Sequence, residues 1–89
     1  MLEKVKLALR IKSNILDLEI DDLIEACKID LSISGVKRIE ESDPIINRAI
    51  ILYCKANFGL ENKQSEKYQN SYDLLKQSFE NWNNRRRSI

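Results

Sequence analysis

Only three residues of this 89-residue chain, Gly35, Pro44 and Gly59, are of the two types that most readily interrupt a helix. A sandwich or barrel needs turn signals roughly every 8–12 residues, and the chain does not carry them. The three residues instead divide it into long stretches whose apolar positions recur with helical spacing. An all-α fold follows: a compact bundle of about four helices, at approximately 2–11, 15–34, 44–58 and 63–83, the last of them long.

Each stretch carries its own start and stop. In the first, Leu2, Val5, Leu9 and either Leu7 or Ala8 lie near one side. Glu3 at its start and Arg10 and Lys12 near its end suit the helix dipole, and Ser13 and Asn14 then offer caps. The second opens on Asp17, Glu19, Asp21 and Asp22, and Gly35 is placed to stop it. The residues from Val36 to Ser42 read as a loop. Asp43 and Pro44 form a strong helix start, with an N-capping carboxylate followed by a residue whose missing N–H costs nothing there. That third helix, which Gly59 should end, is apolar nearly all round and belongs in the middle of the bundle. In the fourth, Tyr68, Tyr72, Leu75, Phe79 and Trp82 fall four, three, four and three apart, a narrow stripe. A single domain over 1–84 is expected, with 85–89 a basic, frayed tail.

Composition removes several functions. The chain has no His, and its two cysteines, Cys27 and Cys54, form no CxxC pair. No nucleophile has an activating partner, so no catalytic, cofactor-binding or metal-binding residues are assigned and the chain is read as a non-enzyme. A net charge of +1 is a poor match to a protein that grips duplex DNA. The start lacks a continuous apolar signal core, and the longest apolar run, Ala49 to Cys54, is far short of a membrane span. A cytoplasmic setting with free thiols is expected, without membrane contact.

Two features point outward. On the second helix, Leu16, Ile20, Leu23, Ile24, Cys27 and Leu31 form a core-facing arc of about 100°. Leu18, Ala26, Ile29 and Ile33 fall on nearly the opposite side, with Val36 and Ile39 just beyond. So much aliphatic surface suits contact with another copy of the chain, unless the first helix or the 36–42 loop folds over it. The second feature is charge: residues 1–43 carry a net −3 and residues 44–89 a net +4. Opposite poles suit head-to-tail contact between copies. Arg48 and Lys55, on the polar strip of the third helix, are channel- or partner-facing basic candidates. Phe79 and Trp82 are candidates for binding a partner where the last helix outruns the bundle, and Arg85, Arg86 and Arg87 could meet an acidic surface.

Taken in order, the stretches VKLALRI (5–11), LEIDDLIEACKIDLSISGV (18–36), DPIINRAIILYCKANFG (43–59) and KYQNSYDLLKQSF (67–79) resemble a known family. They are similar to the small head–tail connector (adaptor) proteins of tailed double-stranded DNA phages and prophages, over about residues 3–80. The resemblance implies an α-helical subunit that assembles into a ring, commonly twelvefold, beneath the portal. It implies a virion-neck location after assembly in the bacterial host cytoplasm, with portal and a tail-completion or stopper protein as partners. DNA would pass through the bore with at most transient, non-specific contact, and neither catalysis nor a cofactor belongs to the role. The last helix and tail, here Phe79 to Arg87, would face the portal. Two other readings are a small helical DNA-binding regulator and a peptide-binding adaptor.

Overall fold

The computed structural model describes residues 1–58 and 63–87, with side chains described for 1–58 and 64–79. Four helices follow one another: α1 (Leu2–Leu9), α2 (Asp17–Ile33), α3 (Pro44–Asn57) and α4 (Lys63–Arg87). Among the described residues there is no strand. The helix that is apolar nearly all round, α3, packs against all of the other three. Its buried residues Ile46, Ala49, Ile50 and Cys54 meet Ile20, Ile24, Cys27 and Leu31 of α2, Val5 of α1 and Tyr72 of α4 in one core.

The helix ends follow local chemistry. Asp43 caps α3, its Oδ1 accepting from the Ile45 N–H at 2.9 Å, with Pro44 in the first turn. Gly35 ends α2 at a φ of +99°, which a glycine adopts without steric cost. There the Val36 N–H donates to the Leu31 carbonyl and the Gly35 N–H to that of Ser32, the paired closure of a Schellman turn. α1 closes in the same way, but with Arg10 in the left-handed position at φ 60°, so that it ends at Leu9 rather than near residue 11. Gly59, expected to end α3, lies outside the described residues.

Buried charge fixes the α1–α2 corner. Lys6 is 5% exposed as a residue, and its ammonium lies 2.9 Å from Asp17 Oδ1 and 2.8 Å from Asn14 Oδ1. Asn14 therefore serves Lys6 with its side chain. Ser13 Oγ accepts from the Ile15 N–H at 3.2 Å. The 36–42 stretch is held by Glu41, whose carboxylate pairs with Lys28 at 2.6 Å and with the amino group of Met1 at 3.2 Å.

α3 and α4 run antiparallel, since Lys55 meets Tyr68 while Tyr53 meets Tyr72. α4 has 25 residues to 14 in α3. At ~1.5 Å per residue it is about 16 Å longer than the helix it packs on.

Candidate functional site

The outer face of α2 is open. Leu18 is 80% exposed, Ile29 59% and Ile33 80%, and Ile15 in the preceding turn is 88% exposed. Ala26, at the edge of that face on the wheel, is half-buried. Neither α1 nor the 36–42 stretch covers this face. Its geometry has a simple origin: α2 packs on α3 through Ile20, Ile24, Cys27 and Leu31, so side chains half a turn away must point outward. Asp22 and Glu25 are exposed on the same side, giving an aliphatic stripe with carboxylates set into its first half.

Val36 and Ile39 do not join it. Val36 is 6% exposed and lies in the core, and Ile39 packs half-buried against that core. The Schellman turn at Gly35 is the reason. It reverses the chain and places Val36 back over Leu31, the apolar contact that normally accompanies this closure.

The basic candidates separate. Arg48 is exposed, whereas Lys55 is half-buried with its Nζ 5.3 Å from the centre of the Tyr68 ring, which gives it a cation–π role between α3 and α4. On the same open side of α3, Ile45 is 51% exposed and Leu52 half-buried. Phe79 packs half-buried against the core. The side chains of Trp82, Arg85, Arg86 and Arg87 lie outside the described residues, although the α4 backbone runs through Arg87.

The accessible surface is 6600 Å². A compact monomer of 10.4 kDa exposes about 5,400 Å², so roughly 1,200 Å² is exposed beyond what mass alone dictates. That excess is comparable with one partner's share of a standard interface or somewhat more, about 800 Å².

Sequence reasoning missed a polar node at the meeting of α2, α3 and α4. The Tyr72 hydroxyl donates to Asp30 Oδ2 at 2.7 Å, and the Lys76 ammonium donates to the same oxygen at 3.1 Å. Cys27 Sγ lies 3.8 Å from the Tyr72 hydroxyl oxygen, and the Tyr53 ring meets that of Tyr72 edge-on at 5.3 Å. The hydrogen bond from Tyr72, then the Lys76 ammonium, hold the Asp30 carboxyl below its usual range. Burial, followed by the bond to Asp30, pushes the Tyr72 hydroxyl up. The partners are 42 and 46 residues apart, and no local pattern announces such a pairing.

These groups perform no evident chemistry. Burial pushes the Cys27 thiol up to about 11 and the Cys54 thiol to about 12, so neither is a thiolate at neutral pH. Among the described residues, no three or more His, Cys, Asp or Glu side chains are grouped to hold a metal ion. None of their helices is long and apolar enough to cross a membrane. What the molecule offers is surface, foremost the outer face of α2.

Comparison with known proteins gives one finding. A family model described as phage connector protein matches residues 1–85. No curated protein and no solved structure matches the chain.

Proposed function

The chain belongs to the phage connector family, and from that premise we propose that it is a structural subunit that joins its own copies in a ring below the portal. The ring links capsid to tail in the virion neck and leaves a bore for DNA. It assembles in the host cytoplasm, commonly as twelve copies, between the portal and a tail-completion or stopper protein. The subunit does no catalysis.

The observation that carries this reading is the outer face of α2. Leu18 and Ile33 stand largely in solvent and Ile29 more than half so, and among the described residues nothing encloses this face. A small monomer rarely leaves several large aliphatic side chains of one helix face to water, and a neighbouring subunit would remove them from water. A ring also requires two different, complementary patches on each subunit, and the opposed charges of the two halves of the chain supply the means to distinguish them.

Near-neutrality suits the bore. Each phosphate neutralised by a cation adds salt-sensitive affinity, and a passage must let DNA slide. The extra length of α4, with Arg85, Arg86 and Arg87 near its end, would let the tail reach the portal. Deleting the gene from its phage tests the role. Heads without tails, beside separately completed tails, are expected, and normal yields of tailed particles would overturn it.

A further inference from the structure

We infer that the outer face of α2 in one copy docks on the open side of α3 in the next, with Asp22 and Glu25 meeting Arg48 and Lys55. This rests on the ring reading and names the surface that the α2 stripe meets. α3 touches α1, α2 and α4, and its remaining side presents Ile45, Arg48 and Leu52, with Lys55 one turn further on. Both surfaces are therefore single helix faces that mix aliphatic side chains with one sign of charge, acidic on α2 and basic on α3.

Their placement suits a contact that repeats in one direction. α2 packs on α3 through its inner face, so its outer stripe points away from α3 and the two surfaces lie on different sides of the subunit. That is what a heterologous, ring-closing junction needs. The α3 face also fits within the length of the α2 stripe. At ~1.5 Å per residue, Leu18 to Ile33 spans about 22 Å and Ile45 to Lys55 about 15 Å. Laid along α2 in either direction from an end of the stripe, α3 brings Ile45 onto Leu18 or Ile33 and one of its cations within about a turn of Asp22 or Glu25. The obvious competitor is α2 against α2 across a two-fold axis. That arrangement places Asp22 and Glu25 of both copies in one small interface, where four carboxylates meet and only Glu25 has a cation beside it, Lys28 of its own helix at 3.5 Å.

Cross-linking in assembled rings distinguishes these arrangements. The side chains of Cys27 and Cys54 are fully buried, so a single surface cysteine can be addressed by a short thiol-specific cross-linker. The variants are Leu18→Cys, Ile33→Cys and Ile45→Cys, each in the full chain and mixed in pairs with cognate portal. The mixed pairs of position 45 with 18 or 33 should exceed every like pair by about tenfold, as expected for a junction of fixed register. A second measurement uses blocked variants. Ile33→Asp and Arg48→Glu should each fail to form rings alone, yet together give 1:1 dimers, because one intact α2 face and one intact α3 face remain. Rings whose strongest link is 33 to 33, or Arg48→Glu subunits that still form rings alone, would overturn the pairing while leaving the ring in place. Absence of rings from the unmodified protein with portal would overturn the ring reading and this pairing together.

Discussion

Replacing Ile33 by Asp separates the cost to the subunit from the cost to its assembly. In the isolated subunit Ile33 is 80% exposed, so little burial is lost on substitution. Surface changes of this kind stay within about 0.5 kcal/mol, and a carboxylate in the last turn of α2 adds about 0.3–1 kcal/mol of unfavourable dipole interaction. Assembly is affected differently. Fully burying an isoleucine side chain is worth about 1.5–3 kcal/mol, so with 80% still exposed about 1.2–2.4 kcal/mol remains to be gained at a junction. Losing it weakens each junction by about sevenfold to fiftyfold, at 1.4 kcal/mol per tenfold. Desolvating the new carboxylate adds to that loss. Sedimentation velocity over a concentration series should show the ring population lost, while far-UV circular dichroism keeps its helical signal. Ile33→Lys, whose charge the same helix end favours, should block assembly equally without the dipole cost. Unchanged ring formation by both variants would refute the reasoning, and so would unfolding of both, which would place Ile33 in the subunit's own core.

Three further outcomes follow from the interior. Tyr72→Phe removes the hydroxyl that donates to Asp30, and should cost about 1.5–3 kcal/mol, near the lower value because Asp30 is partly exposed; thermal denaturation reads this as a lower midpoint. The Asp30 carboxyl is held below its unfolded value of 3.8, so the stability it contributes is full above that pH and is lost as pH falls below it. The raised Tyr72 hydroxyl acts at the other end: its contribution is present below the unfolded value of 10.0 and is lost as pH rises above it, so the alkaline limb of pH-dependent denaturation should be shallower in Tyr72→Phe, with the buried thiols of Cys27 and Cys54 supplying the part that remains. Cys27 and Cys54 should resist a thiol reagent in the native state at neutral pH and react fully once denatured, and fast native labelling would contradict their burial. Removing residues 80–89 should weaken portal docking in a pull-down yet leave the thermal midpoint nearly unchanged.

Much of the architecture was legible because its determinants are local. Asp43, Pro44 and Gly35 each act within a few residues, and the structure uses all three as their chemistry requires. The apolar circumference of α3 placed it centrally, and the helical wheel of α2 separated Leu18, Ile29 and Ile33 from the core side. What escaped depends on geometry that no wheel contains. Val36 looked like an extension of the α2 stripe, but the left-handed turn at Gly35 redirects it inward. Arg10 gave no sign of a left-handed conformation, because that position usually falls to glycine or asparagine. Lys6 has no local pattern that sets it apart, yet the α1–α2 corner encloses it against Asp17 and Asn14. The Tyr72–Asp30–Lys76 node joins groups more than forty residues apart through tertiary packing alone.

The claim on which this account depends is that neighbouring subunits cover the outer face of α2. Electron microscopy of the protein bound to its cognate portal measures this directly, at a resolution that traces α2 in each copy. The account predicts a closed ring with Leu18, Ile29 and Ile33 enclosed at every subunit junction. Copies bound singly to the portal, or a ring in which those three side chains still face solvent, would contradict it.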